Sequence, residues 1–522
     1  MQKFIPKYLI DAIFILTILI IGFKISYESE KVMDIVLWDE SVYLEMGVNF
    51  EHKKTLDGLL YYAWYNFLSV FESNNINLYF LNFTILLILP ALILYLLFKT
   101  LQVNSLIAFL FSVLFLISTL NVLMWPFITK FSLCVLLSGL ILLAKIKDIF
   151  YKLLFSFLLS FVLVYIRPEF FISFILFGIS LLVYVVYNIK MITRIKFFKL
   201  IIPVIVLSTL FLYYNPSKGP RSFLAFAQHY VWDINERIGI KNNDISESII
   251  KKHFGDDNTV LKVALNRPGI FFEHIAFNLA RYPSHISDLF PFFITNDVHS
   301  YIKLVLYVLL IFILIISIII YFKFYDRKFL NLTNLIYFIF VIPALLSTII
   351  VYPKNNYMLL IEVLLLIFSG YMISNYLIMK KNKLINVPGI AILICIIFVI
   401  VIPSRSNVVS IHELNCTIVN LIKSINKVQE NSPVTLMAVA PGISPYLEKN
   451  ITLLSPKYFN IPFEEFIKKY NVNMVLLNGE LLNHRNVSDN PEFNKFKRDS
   501  NFVTIDLGKC TKQLIVNKNI LR

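Results

Sequence analysis

Apolar runs of membrane-spanning length recur along most of this chain, at about 8–26, 78–98, 102–122, 127–144, 150–166, 170–188, 197–214, 301–322, 330–351, 356–378 and 385–403. A run of roughly 20 apolar residues matches the hydrocarbon thickness of a bilayer as a helix. The pattern therefore predicts an α-helical polytopic membrane protein with about eleven transmembrane helices. Composition agrees: 58% of the residues are hydrophobic and only 16% are charged, more apolar surface than a soluble domain can bury. The formal charge of +15 does not point to nucleic acid, because the Lys and Arg residues sit in short clusters between apolar runs.

Those clusters set the orientation. With a cytoplasmic N-terminus, the inward loops carry Lys3 and Lys7, Lys99, Lys145, Lys147 and Lys152, Lys190, Arg194, Lys196 and Lys199, Lys323, Arg327 and Lys328, and Lys380, Lys381 and Lys383. The short outward turns hold little beyond Arg167 and Lys354. The positive-inside rule thus predicts a multi-pass protein with a cytoplasmic N-terminus and an extracytoplasmic C-terminus. The basic, apolar N-terminus lacks a small-residue cleavage site and reads as an uncleaved anchor helix.

Three outward segments are too long for simple turns: residues 27–77, 215–299 and the tail, 404–522. The expected division is a transmembrane domain over 1–403, carrying the first two loops, and a small α/β soluble domain over 404–522. In the tail, "VTLMAV" (434–439), "ITLLSP" (451–456), "NMVLLN" (473–478), "FVTIDLG" (502–508) and "KQLIVNK" (512–518) alternate as strands, and "PFEEFIKKY" (462–470) reads as a helix. Cys416 and Cys510 fall in the tail, as either a disulfide or two separate thiols. No internal repeat is visible, and no CxxC, HxxxH or HExxH spacing suggests a metal.

Chemistry-bearing residues gather on the outward face. "VLWDESVYLEMGVNF" (36–50) places Asp39, Tyr43, Met46 and Phe50 on one helical stripe, with Glu40 beside the first. An amphipathic helix along the membrane surface follows. Spacing alone does not separate a reactive Asp39 from a helix cap. "YIRPEFF" (165–171) puts Arg167 and Glu169 at a helix junction, where a guanidinium suits a phosphate or simply snorkels. "VYPKNNYMLLIEVLLLIFSG" (351–370) repeats that arrangement with Tyr352 and Lys354, as a lipid-phosphate contact or an interfacial aromatic belt. Glu362 lies about two turns deeper, an acid within a span and so a functional candidate. In the second loop His274, Arg281 and His285 stand at helix-like spacing, interrupted by Pro283, as an acceptor-binding or lid surface.

Taken in order, "WDESVYLEMG", "RPE", "YPKNNYMLLIEVLLL" and the closing "EEFIKKYNVNMVLLNGELL" resemble the GT-C superfamily of polytopic glycosyltransferases, in the bacterial branch near protein O-mannosyltransferases and the lipid A aminoarabinose transferase. The resemblance spans most of the chain as an arrangement of short motifs. It implies transfer of a sugar from a polyprenyl-phosphate donor to a lipid, glycan or protein acceptor, with inversion, on the outer membrane face. It assigns the general base to Asp39 with Glu40 as neighbour, and the donor phosphate to Arg167, Lys354 and Tyr352; the "RPE" match also brings in Glu169. His274, Arg281 and His285 stand as candidate substrate contacts on their own spacing. Family members often open the fourth span with an Asp, as in "TDTPL"; here "FITKFSLCVLL" (127–137) carries Lys130, so no second carboxylate is supplied. No cofactor is implied, and a divalent metal stays open. The alternatives are a polymerase or ligase using a lipid-linked glycan, and a polytopic transporter or flippase.

Overall fold

The computed structural model describes residues 7–37, 39–49, 58–122, 125–188, 194–213, 221–238, 247–294, 312, 315–317, 319, 332–379, 388–408, 418–427, 433–438, 442–454, 463–477, 481, 491–497, 499–506 and 513–520. Its helices are α1 (Lys7–Ser26), α2 (Ser29–Val32), α3 (Asp39–Asn49), α4 (Leu59–Ser69), α5 (Asn75–Thr100), α6 (Ser105–Ile117) and α7 (Thr119–Val122). They continue with α8 (Ile128–Lys145), α9 (Ile149–Val164), α10 (Phe171–Tyr187), α11 (Arg194–Tyr213), α12 (Arg221–Arg237), α13 (Glu247–Phe254), α14 (Val260–Asn266) and α15 (Pro268–His285). After them come α16 (Leu332–Ile350), α17 (Asn355–Met379), α18 (Pro388–Val401) and α19 (Ile418–Lys427), then α20 (Phe463–Lys469) and α21 (Pro491–Phe496) among the strands of the tail.

Five helical stretches among the described residues are long and apolar enough to cross a membrane: Tyr8–Ser26, Asn75–Thr100, Ile128–Lys145, Pro168–Tyr187 and Asn355–Leu377. Four shorter apolar helices accompany them, Ser105–Ile117, Ile149–Val164, Leu335–Ile350 and Gly389–Val401. The architecture is that of a helical membrane protein. Most of the expected span at 301–322 lies outside the described residues, as do Cys416 and Cys510.

The expected single span at 102–122 is broken. The Asn104 side chain caps α6 by accepting from the Leu106 amide at 2.9 Å. At the other end Ser118 turns extended (φ −65°, ψ 148°) and forms a bridge with Pro291. The Thr119 amide donates to the Phe290 carbonyl at 2.7 Å, so backbone pairing with a distant segment stops the helix and α7 restarts it. Asp148 caps α9 through the Phe150 and Tyr151 amides. Pro168 opens a single 3-10 turn, Pro168–Phe170, before α10, in keeping with its fixed φ and missing amide hydrogen. Pro283 does not interrupt the second loop's helix: it sits in the last turn of α15, which runs on to His285.

By internal packing the chain divides into two units. The first comprises Met1–Phe23, His52–Tyr61 and Ile85–Ile402; the second comprises Lys24–Glu51, Tyr62–Thr84 and Pro403–Arg522. The tail is thus grouped with most of the first outward loop.

In the second unit β1 (Val434–Met437), β2 (Ile451–Leu454), β3 (Val472–Leu477), β4 (Phe502–Asp506) and β5 (Gln513–Asn517) form one sheet in the order β2-β1-β3-β5-β4. β1 pairs parallel with β2 and β3, while β5 pairs antiparallel with β3 and β4. The central β3 is buried along its whole length, as its apolar run "VNMVLL" requires of a strand covered on both faces. Its one polar residue, Asn473, accepts from the Thr435 amide at 2.6 Å, at the register shift between Thr435 and Leu436. Phe463, Phe466, Phe493 and Phe496 from α20 and α21 complete the core against Met437, Val475 and Ile515.

The first outward loop is stitched to this domain. Asp34 accepts from the Ile418 and Val419 amides at 2.7 and 3.2 Å, capping α19 from a residue almost four hundred positions earlier. Asn75 donates to the Pro445 carbonyl at 2.5 Å. Gly442 adopts φ +86°, and a Cβ there would stand 1.5 Å from the Leu37 carbonyl oxygen, so only glycine fits.

Candidate functional site

The sequence-predicted residues fall into both units, and each group has its own geometry. In the second unit the "DESVYLEMGVN" segment folds as α3, but its inward face is not the expected one. Glu40, Tyr43, Leu44 and Gly47 are buried, whereas Asp39 is exposed; Phe50 lies outside the described residues. The Tyr65 hydroxyl and the Asn82 amide, the latter at 3.4 Å, both donate to Glu40 Oε1. Asn82 is itself oriented by the Trp64 indole N–H at 2.8 Å. Neutral donors therefore make the burial of Glu40 tolerable. Gly47 lets α3 close on α4, since a Cβ there would lie 2.4 Å from that of Tyr65.

From the tail, Tyr446 joins the same network. Ser41 donates to the Tyr446 hydroxyl at 3.3 Å, and the Tyr79 ring packs edge-on against that of Tyr446. Burial pushes the Tyr446 hydroxyl well up, the Ser41 contact opposes this, and the Glu40 charge adds to it. The two adjacent acids thus differ in kind. Asp39 is open to a proton donor from outside, and no hydrogen bond or ion pair to it occurs among the described residues. Glu40 is fixed.

In the first unit, Arg167 is 6% exposed and does not snorkel. It pairs with Glu169, donates to the Thr129 hydroxyl, and lies 5.1 Å from the centre of the Tyr357 ring. Tyr357 is in the first turn of α17, and its amide donates to the Lys354 carbonyl at 2.8 Å. The two basic residues singled out on separate outward turns therefore belong to one chain of contacts: Arg167, Tyr357 and the turn that carries Lys354.

That chain continues into α12 and α15. The Lys354 ammonium is 6.0 Å from the centre of the Trp232 ring. Tyr352 stacks on His229 at 4.9 Å with 12° between the planes, and the Arg281 guanidinium is 4.8 Å from the Tyr352 ring. Burial raises the Tyr352 hydroxyl, Arg281 opposes this, and Glu236 and Asp233 add to it. Arg281 is itself held by Asp233 at 2.6 Å and by Glu236.

His274 is fully buried. Its Nδ1 lies 2.5 Å from Asp233 Oδ2, an ion-pair contact that lacks the angle of a hydrogen bond. Its Nε2 is 3.0 Å from the Val351 carbonyl, which ties α12 and α15 to the turn bearing Tyr352 and Lys354. Of His285 only the backbone, at the end of α15, is described.

His229 was not singled out in the sequence. It is 5% exposed, and burial, with the Lys354 and His274 charges, lowers its imidazole to about 3. Its signal was the spacing in "QHYVWDINE", where positions 229, 232, 233 and 236 share one helical face.

The cluster joins three cationic side chains (Arg167, Arg281 and Lys354), the carboxylates of Glu169, Asp233 and Glu236 that pair with the two arginines, aromatic faces, and the positive end of the 25-residue helix α17. Among the described residues no group of three or more His, Cys, Asp or Glu could hold a metal ion. No family model matches the chain, and no curated protein matches it. The fold thus defines a class, a helical membrane protein with a small C-terminal sheet, and function is argued from the residues.

Proposed function

We propose that the chain is a membrane glycosyltransferase that moves a sugar from a polyprenyl-phosphate donor to an envelope lipid, glycan or protein acceptor on the outer face of the cytoplasmic membrane. In this proposal about eleven helices span the bilayer, with the N-terminus inside and the tail outside. The acceptor hydroxyl gives its proton to the Asp39 carboxylate as its oxygen bonds to the anomeric carbon. The bond from that carbon to the phosphate oxygen breaks, and the configuration inverts. Arg167 and Lys354 offset the charge that grows on the departing polyprenyl phosphate, and the Tyr352 hydroxyl donates to it. Glu40, fixed by Tyr65 and Asn82, holds the start of α3.

One observation carries most weight. Arg167 and the Tyr352–Lys354 turn, chosen from motifs almost two hundred residues apart, share one basic and aromatic cluster at the head of a spanning helix. The exposure of Asp39 beside a buried Glu40 also favours Asp39 over its neighbour as the base.

The test is mass spectrometry of lipids and envelope glycans from a strain lacking this chain, complemented with wild type or Asp39→Asn. A hexose-type mass should vanish in the deletion and return only with wild type. Full restoration by Asp39→Asn removes Asp39 as base. A deletion that changes no glycan mass but redistributes a lipid-linked glycan across the membrane favours a flippase.

A further inference from the structure

A second polar centre lies deeper along α17, apart from the cluster at its head. Glu362 is 2% exposed inside a helix long enough to span the bilayer, and neither carboxyl oxygen has a hydrogen-bond partner among the described residues. Ser369, two turns further on the same stripe, is buried with an unpartnered hydroxyl. On the facing helix α6, Ser112 is likewise buried and unpartnered, and a Cβ at Gly370 would stand 3.4 Å from its neighbour Phe111. Asn121, on α7, which also packs against α17, has a buried carboxamide oxygen without a donor among the described residues.

Five such atoms, on four residues along one helix and its neighbours, are more than chance mispacking leaves in a native bundle, where nearly all buried polar groups are satisfied by protein or by ordered water. An ionised carboxylate here would face a heavy burial penalty without a single donor. As a neutral acid it needs only a hydrogen-bonding neighbour such as water. The charged groups on elements packed against α17 are few: Lys130 and, at its far end, Lys145 on α8, and Asp288 in the turn Ile286–Leu289, with none on α16, α6 or α7. Lys130 is engaged, its ammonium donating to the Asn121 carbonyl at 2.6 Å.

We infer that Glu362 is a proton-binding site within the membrane bundle, seated in a hydrated seam with Asn121, Ser112 and Ser369, and that it exchanges its proton with water through that seam. The ligand class is the proton, with water as the second occupant. The site is independent of the glycosyltransferase proposal and stands or falls apart from it.

Infrared difference spectroscopy of the full chain in lipid nanodiscs, wild type minus Glu362→Gln at neutral pH, tests it. One protonated-carboxyl C=O stretch should be lost in the variant, and in wild type it should move to lower frequency in D2O. Loss of carboxylate bands instead, or a C=O band unmoved by D2O, overturns the inference. Dicyclohexylcarbodiimide on the wild-type protein gives a readout that needs no variant. The acid proton passes to a carbodiimide nitrogen, the carboxylate adds to the central carbon, and rearrangement leaves a stable N-acylurea. Peptide mass spectrometry should find that adduct on Glu362, in falling yield as pH is raised. No adduct on Glu362, or protection by sodium rather than by alkali, refutes proton binding; protection by sodium would assign the site to a metal cation.

Discussion

At the first turn of α17, Arg167 and Arg281 are enclosed by Glu169, Asp233 and Glu236. Some two turns along the same helix, Glu362 is buried without a donor among the described residues. The two centres manage burial by different means. At the helix head each guanidinium meets carboxylates and an aromatic face, so the array is ionic and its members depend on one another. The unsatisfied groups farther along that helix and on the helices packed against it are hydroxyls and a carboxamide, which suit an uncharged acid. Removing one partner from a buried ionic array leaves a stranded charge, while replacing a neutral acid by its amide strands nothing.

The largest effect should follow Arg281→Leu. Asp233, 1% exposed, would lose the guanidinium that pairs with it, and about 3–5 kcal/mol of stability should be lost. Thermal unfolding in detergent checks this, and an unchanged melting temperature would break the contrast. Arg167→Lys comes next. It keeps the charge but gives up simultaneous contact with Glu169 and Thr129, so sugar transfer should fall about 100-fold with the fold intact. Steady-state rates with a polyprenyl-phosphate sugar read that loss.

A smaller effect concerns acid. His229 takes up a proton near pH 6.5 when unfolded but only near 3 when folded. Between those values the unfolded chain binds more protons, so this contribution to stability is complete above about pH 6.5 and declines as pH falls. The loss should be about 2 kcal/mol by pH 5, and His229→Phe should flatten that slope in unfolding measured across pH. The smallest change belongs to Glu362→Gln, whose stability should stay within about 0.5 kcal/mol of wild type in the same assay. A large loss there would show that Glu362 is charged and erase the difference between the centres.

The tail was legible because short aliphatic runs bounded by Gly, Asn, Ser and Pro act locally. All five strands and the helix after Pro462 lie where the pattern puts them, within a residue or two at their ends. The break at Ser118 was not legible, since the apolar run continues through it and the cause is pairing with Phe290 and Pro291. Which of the adjacent acids turns inward was equally hidden. Neighbouring helix positions differ by about 100°, and the donors that bury Glu40 come from Tyr65 and Asn82 on other helices. His229 escaped notice for a related reason: its significance lies in stacking on Tyr352, more than a hundred residues away.

The most direct measurement uses purified protein in nanodiscs with a synthetic polyprenyl-phosphate sugar and a hydroxyl acceptor. Wild type should release free polyprenyl phosphate and form the glycoside of opposite anomeric configuration, and Asp39→Asn should slow this by about 100-fold or more while donor binding persists. Retained anomeric configuration, or equal rates for the two proteins, would contradict the account.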